Sequence, residues 1–373
     1  MDIVIIFGGT SVEHDVSILT ALHARKHVMA SHSIRMVYLT RTGQMVTSQS
    51  LCNIDNFING DASRANPCFF VGKSLFQKTR LGVKKVCNVD VVLNCCHGGV
   101  GEDGRLCGMF DVLGIPVTSC DYRVAADLQS KTRTREILSA AGFDQPKFKS
   151  SSKSCFAGVN YSTLEECDLR GGIAFPVIVK PDTLGSSIGI TVARNQEEFE
   201  KAVELAFTLD DRIIVEEFLK DAVEINCAAF RFGDKVLLSG CWEMDKGDGL
   251  LDFDKKYICE EGGFMKKGAK GGGKMNEKHE REEDVKNLMK QAYELFGASG
   301  VVRGDFLIVG GKIYLNEINT IPGNFSFHMW QKVGLPYATL IEMMLDQAVK
   351  QGRKDPKMAF HSEILQKNRF LVQ

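Results

Sequence analysis

Residues Phe175–Ile190 read FPVIVKPDTLGSSIGI. The run Pro176–Val179 is short, apolar and β-branched, as buried strands are. Lys180 at its end is therefore a cation half withdrawn from water, and such a charge needs a partner. Gly185-Ser186-Ser187 with Gly189 follows, a flexible turn whose N–H groups can converge on an anion, and IGITVA reads as the returning strand. The segment reads as strand, phosphate-covering loop, strand. An ordinary glycine-serine hairpin with a snorkelling terminal lysine fits the same residues, so the rest of the chain has to decide.

Outward from this stretch, 373 residues exceed one ordinary domain. IVIIF, glycines and the helical spacing Val12, Val16, Leu19 open the chain as strand, loop and helix. RMVYLT and VDVVLNCCHGG followed by GRLCGMFDVLG continue the alternation. That pattern predicts an α/β domain with a parallel sheet over residues 1–120. A central lobe over 121–210 contains the helix KTRTREILSAAG and the opening hairpin, and a third region over 211–373 starts near RIIVEEFL. The glycine- and lysine-rich run Glu260–Lys274 reads as mobile, within a lid over about 250–274, and EREEDVKNLMKQAYELFGASG after it reads as an amphipathic helix with a glycine stop.

With 46 basic against 47 acidic residues, the net charge of -1 excludes a global attraction for nucleic acid or an anionic membrane. No apolar run is long enough to span a bilayer. The twelve cysteines form no C-x-x-C pair, and the N-terminus lacks a secretory pattern, so the expectation is reduced thiols, no zinc site and a cytoplasmic location.

Two glycine motifs mislead. Gly99-Val-Gly101-Glu-Asp-Gly104 matches the dinucleotide fingerprint, but Glu102 and Asp103 would face a pyrophosphate and the match is not in the first βα unit. Gly268–Lys274 matches a Walker loop but ends in Met275, where a hydroxyl is required, and follows no strand. A better signal is VVRGDFLIVGGKIYLNEINTIPG, Val301–Gly323, two apolar strands around Gly310-Gly311. Asp305, Glu317 and Asn319 are oxygen donors suited to a hard cation such as Mg²⁺. Glu317 and Asn319 share a strand face, and Asp305 joins them if the hairpin loop has an odd number of residues, such as three. Arg303 points to the same side, ready for a phosphoryl charge. A solvated hairpin face with an Arg-Asp-Glu salt bridge fits these residues equally well alone, but the lysine and Gly-Ser loop upstream favour the metal site.

FGGTSVEHDVS, HGGVGEDGRLCGMFDVLGIPVTS, VKPDTLGSSIGI, VEEFL and RGDFL with YLNEINTIPG occur in this order. Together they resemble the D-alanine-D-alanine ligases of the ATP-grasp superfamily over nearly the whole length. The resemblance implies a Rossmann-like N-terminal domain that binds the first substrate and two ATP-grasp lobes. The activity it implies is ATP-dependent joining of two D-alanines through an acyl phosphate for peptidoglycan precursor synthesis. ATP and Mg²⁺, or Mn²⁺, would be the cofactors, and the assembly a homodimer.

The resemblance also assigns roles. Lys131, Lys180, Ser186 and Ser187 would contact ATP; Glu216, Glu217, Phe218 and Leu219 would form the adenine strand, Glu224 would hold the ribose, and Phe306 would line the nucleotide site. Asp305, Glu317 and Asn319 would be the metal ligands, with Arg303 and the backbone of Gly323 stabilising the oxyanion. Glu13 would hold the first ammonium, with Ser186 and Tyr257 linking it to the lid. His97, Lys256, His328 and Met329 would lie at the substrates. For Glu13 the residues alone favour another reading, since Thr10-x-x-Glu13 is a capping-box pattern. His97 alone reads as a hydrogen-bonded turn histidine. Two features depart from the resemblance: the lid is unusually rich in glycine and lysine, and His328 stands where a small hydroxyl residue is expected, with Ser326 two positions earlier. A D-serine or D-lactate acceptor, or a nucleotide-binding homologue that no longer ligates, are the rival readings, and a dinucleotide oxidoreductase is a third.

Overall fold

Three sheets carry the molecule. The computed structural model describes residues 1–156, 168–244 and 279–352. The lid, with Lys256, Tyr257 and the Walker-like run, lies outside the described residues. The first sheet is ordered β6-β5-β4-β3-β2-β1-β7. Its buried centre is β1 (Asp2–Gly8) between β2 (Ser33–Leu39) and β7 (Val91–Asn94), all parallel. The expected parallel sheet is present at β2-β1-β7 and is extended by β3 (Met45–Thr47), β4 (Asn66–Val71), β5 (Ser74–Thr79) and β6 (Gly82–Asn88), which pair antiparallel. Two-residue links at 72–73 and 80–81 cannot make a parallel crossover.

Helix α1 (His14–Arg25) lies on this sheet with an unexpected face inward. Val12 is 53% exposed, whereas His14, Ser17, Ile18, Thr20, Ala21 and Ala24 are buried. The polar members are tolerated because they are bonded. Gly8 N–H donates to Ser17 Oγ, which donates to Cys95 O, each at 2.7 Å.

The second sheet is β10-β9-β11-β8, from β8 (Phe148–Ser152), β9 (Val177–Pro181), β10 (Thr191–Ala193) and β11 (Arg212–Glu217). The opening stretch is indeed β9, a turn and the antiparallel β10, with all five β9 residues buried. β11 pairs with both β8 and β9, so the expected boundary at 210/211 moves past Glu217. The third sheet comprises β12 (Val223–Phe232), β13 (Lys235–Leu238), β14 (Trp242–Met244), β15 (Val301–Val309) and β16 (Lys312–Asn319).

Helices join these bodies across the expected boundaries. Helix α2 (Arg105–Val112) covers the first sheet, and α5 (Gln196–Leu209) covers the second. Helices α3 (Tyr122–Gln129) and α4 (Lys131–Ala140), which the sequence places in the central lobe, share a core with α6 (Glu282–Leu295) and the third sheet. The last helices, α7 (Phe327–Gln331) and α8 (Tyr337–Gln351), send Trp330, Tyr337, Leu340 and Ile341 into the core of the first sheet beside Ile3 and Ile5. A division at 120 and 210 therefore cuts through shared hydrophobic cores.

Gly304 on β15 marks how tightly the third sheet meets α6. A Cβ there would stand 2.6 Å from Met289 Sδ and 2.9 Å from the Phe306 ring. Gly304→Ala is expected to destabilise the protein by about 1–3 kcal/mol, read as a lower denaturation midpoint; an unchanged midpoint would show that this core yields freely.

Candidate active site

The partner demanded by Lys180 is Glu216. Register pairs β9 Lys180 with β11 Ile214, and the lysine, 6% exposed, forms an ion pair with the Glu216 carboxylate, 2% exposed. A second cation completes the arrangement. Arg135 on α4, 2% exposed, donates from Nε to Glu216 Oε1 at 2.5 Å. Its Nη1 donates to Gln145 Oε1 at 2.9 Å and Leu315 O at 2.6 Å, and its Nη2 to Asn316 Oδ1 at 3.0 Å. Burial alone would raise the Glu216 carboxyl, but Arg135 and Lys180 overcome it and hold the group down at about 2. Lys131 opens α4 and donates from Nζ to Leu184 O at 2.5 Å. Burial lowers its ammonium and the nearby Glu317 carboxylate opposes that. Asp182, one place past β9, caps α4 by accepting from Ser130 Oγ at 2.6 Å and Thr132 N–H at 2.7 Å.

The third sheet supplies the opposite charge. Its hairpin has the two-residue turn Gly310-Gly311, not the odd loop expected, and Val309 pairs with Lys312 and Phe306 with Leu315. The odd residue is present, but in the strand: a bulge at Asn316 shifts the register so that Asp305 pairs with Glu317 and Arg303 with Asn319. Directly opposed residues share a face, so the bulge brings all four side chains together. Arg303 grips Asp305 with two bonds, Nε to Oδ1 at 2.6 Å and Nη2 to Oδ2 at 2.9 Å, and Asn319 Nδ2 donates to Oδ2 at 3.1 Å. Burial pushes the Asp305 carboxyl up to about 6; Arg303 pulls it down, and Glu317 and Glu224 push it up. Two carboxylates and an amide oxygen on one face are the oxygen donors a hard cation takes, so the residues fit Mg²⁺. Among the described residues no three histidine, cysteine or acidic side chains form a metal-binding group; here an amide completes two carboxylates.

For Glu13 the geometry bears on the capping box alone. It is the N-cap of α1 and makes no side-chain cap bond, so the capping box is absent. Ser186 Oγ instead donates to Glu13 Oε1 across the interface between sheets. Ser186 and Ser187 both hold positive φ, 55° and 59°, a strained turn in the predicted Gly-Ser loop. A Cβ at Gly98 would sit 2.8 Å from Glu13 Oε2, at φ 64°, so only glycine leaves the carboxylate its place.

His97 has both ring nitrogens engaged within the protein. Nδ1 donates to Ile321 O at 2.7 Å, and Nε2 accepts from Thr20 Oγ1 at 2.8 Å. Thr20 Oγ1 in turn accepts from Asn324 N–H at 3.3 Å. The expected substrate histidine is thus a clamp: together with Thr20 it holds the residues that bracket Pro322-Gly323. The Asn324-Phe325-Ser326 turn they hold is left-handed throughout, with φ 46°, 52° and 54°, and buried. Glu102 of the dinucleotide-like loop accepts from Ile321 N–H at 3.1 Å, and Asp103 pairs with Arg105, so that loop serves packing.

The remaining predicted positions divide. Glu217 is exposed and Phe218 and Leu219 half-buried at the end of β11, and Glu224 contributes to the charge around Asp305. The Phe306 ring is fully buried in the core beneath the third sheet. Met329 is 1% exposed and its carbonyl accepts from Gly240 N–H. His328 packs edge-on to Trp242 at 4.8 Å. Two surface clefts, of about 320 Å³ beside Cys107 and Arg231 and about 710 Å³ beside Met45 and Met109, lie away from these residues.

The model of the D-ala D-ala ligase N-terminus matches residues 2–120, and that of the D-ala D-ala ligase C-terminus matches 137–346. The chain belongs to the D-alanine-D-alanine ligase family. It is 30% identical to the D-alanine--D-alanine ligase of Thermosipho melanesiensis, over 98% of each chain. Among solved structures, the VanG D-Ala:D-Ser ligase from Enterococcus faecalis is 26% identical with a TM-score of 0.76, covering 93% of this chain and 99% of that one. The D-alanine-D-alanine ligase from Coxiella burnetii, at 24% identity and a TM-score of 0.75 over 100% and 98%, shares the fold. Arg135, Asn316, Asp182 and Thr20 went unmarked in the sequence; the one available signal was Arg135 standing a helical turn after Lys131, on the same face.

Two outcomes follow from this geometry. Glu216 falls from 4.5 to about 2 on folding, so its contribution, about 3 kcal/mol, is complete above pH 4.5 and lost as pH falls toward 2. Glu216→Gln should be destabilised at pH 7 and show a flatter loss from pH 4.5 downward in urea unfolding; parallel pH profiles would remove the ion pair from the account. For the clamp, Thr20→Val should lower kcat about tenfold or more with the nucleotide KM unchanged, and Thr20→Ser should restore it. Equal rates in parent and Thr20→Val would show that Gly323 needs no clamp.

Proposed function

We propose that the protein joins two D-alanines at the expense of ATP, releasing ADP and phosphate and supplying the dipeptide for peptidoglycan precursors. The observation that carries this reading is the juxtaposition of Lys131 and Lys180 with the Arg303-Asp305-Glu317-Asn319 face, while Glu13 and Ser186 meet beside them.

Lys131 and Lys180 bind the phosphates of ATP, Glu216 being the counter-ion that holds Lys180 in place. The strand end at Glu217, Phe218 and Leu219 receives the adenine, Glu224 the ribose, and the Ser186-Ser187 turn covers the phosphates. Glu13 holds the ammonium of the first D-alanine, whose carboxylate attacks the γ-phosphorus as the bond to ADP breaks. Asp305, Glu317 and Asn319 would hold Mg²⁺ or Mn²⁺, which would supply positive charge to the phosphoryl oxygens. Arg303 and the Gly323 amide stabilise the oxyanion that forms when the acceptor amine attacks the acyl phosphate; the carbon-oxygen bond to phosphate then breaks and the amine gives up a proton. The loop around His328 and the Met329 amide lies at the acceptor's carboxylate. The N-terminal domain binds the first substrate. Among the described residues no helix is long and apolar enough to cross a membrane, and the family resemblance supports a cytoplasmic homodimer, which light scattering would test.

A D-serine acceptor is the second reading, favoured by the likeness to VanG and by His328 in place of a small hydroxyl residue. Incubation with ATP, Mg²⁺ and D-alanine, D-serine, D-lactate or L-alanine, with ADP assay and product mass, decides between them. The dipeptide of D-alanine is expected; no ADP with any of these acceptors would sink the ligase reading. Glu317→Gln should lower ADP release about 100-fold while still binding ATP, and full turnover by that variant would remove Glu317 from the metal set.

A further inference from the structure

The face that carries Asp305 holds another oxygen to which neither the motifs nor the resemblance gives a role. Asn226 on β12 is the register partner of Asp305 on β15, and Trp242 of β14 is its neighbour on the other side. Opposed residues of an antiparallel pair project together with Cβ atoms about 4.5–5.5 Å apart. Glu224, two residues earlier on β12, shares the face, and Glu317 pairs with Asp305 from β16. Asn226 is 5% exposed, and its Oδ1 is buried without a hydrogen-bond partner. A buried amide carbonyl left in that state is unfavourable, and an isosteric leucine would avoid the cost. Keeping the oxygen makes sense if something absent from the polypeptide satisfies it. That something must be a donor or a cation, since the atom only accepts. Glu224, Asp305 and Glu317 around it favour a positive charge and repel an anion.

We propose that Asn226 Oδ1 is a further oxygen donor to the divalent cation of the Asp305, Glu317 and Asn319 site, directly or through a coordinated water. The inference rests on the metal reading of that site. It extends the donor set from the β15–β16 hairpin to the central strand β12, so the cation ties three adjacent strands together. A neutral amide suits the position. It adds an oxygen without adding to the negative charge that already pushes Asp305 up.

Mn²⁺ binding followed by electron paramagnetic resonance, in parent and Asn226→Leu, tests this without relying on turnover. The Mn²⁺ Kd should rise roughly tenfold in the variant, while ATP affinity measured in EDTA stays unchanged. The metal-free Tm should equal or exceed the parent's, because the unsatisfied atom is gone. Should the leucine variant fail to fold, Asn226→Ala carries the same comparison. Equal Mn²⁺ affinity in parent and folded variant overturns the role of Asn226 and leaves the metal site standing. Loss of metal-free ATP affinity alone also overturns it, placing the oxygen against a nucleotide hydroxyl. A parent chain that binds no Mn²⁺ sinks the metal site as well.

Discussion

A carboxylate held between two cations organises the centre of this molecule. Glu216 lies between Arg135 and Lys180, and none of the three is more than 6% exposed. Removing one member of such a group is costly because it leaves a buried charge uncompensated, yet replacing the whole group by well-packed apolar residues is often neutral. Net stability is therefore a poor reason for its presence, and position a better one. Arg135 also donates to Leu315 O and Asn316 Oδ1, so it joins the second sheet to the irregular point of β16. The same guanidinium that fixes Glu216, and through it Lys180, thus holds the strand carrying Glu317 and Asn319.

That irregular point is where reading the sequence and building the structure diverge most instructively. The donor residues, the hairpin and the need for one odd residue were legible in Val301–Gly323, because alternation on a strand is a local rule. Where the odd residue falls was not. A bulge at Asn316 and a three-residue turn satisfy the same parity, and Gly310-Gly311 is an ordinary two-residue hairpin turn. What favours the bulge lies outside the hairpin: displaced from the ladder, the Asn316 amide accepts from Arg135 and from Lys180, the latter at 3.4 Å. Contacts with α4 and β9, well over a hundred residues away, carry no signal in a window of sequence.

The same limit explains α1. Its sequence shows apolar spacing at Val12, Val16 and Leu19, but the buried face is largely small or polar, and its reason is found on other elements. Thr20 meets His97 and Asn324, Ser17 meets Cys95 O, and His23 Nδ1 lies 3.1 Å from Asn324 Oδ1. These bonds hold a turn of three consecutive left-handed residues, each of which costs about 1–2 kcal/mol when not glycine. At the other end of α1 Glu13 meets Ser186. One helix therefore links the strained loop of the second sheet to the strained turn after the third. The motif FGGTSVEHDVS marked the first contact; nothing local marked the second.

The two halves of the site differ in how their charge is balanced, and this bears on the order in which it is filled. On the second sheet, Glu216 is neutralised within the protein, its carboxyl held down at about 2. On the third, Arg303 and the Asn319 amide bond Asp305 with Glu317 and Glu224 nearby, and burial pushes Asp305 up to about 6. Ionising Asp305 in the folded chain therefore opposes folding as pH rises from 3.8 to about 6, the reverse of the Glu216 effect. A cation reverses that sign by favouring the ionised carboxylates. The second sheet is thus prepared before any ligand arrives, whereas the third is complete only with a positive charge beside it. On the proposed reading, ATP carrying its own divalent cation would supply both needs at once, its phosphates meeting the lysines and the cation the carboxylates. Nucleotide binding and closure of the charge balance would then be a single event.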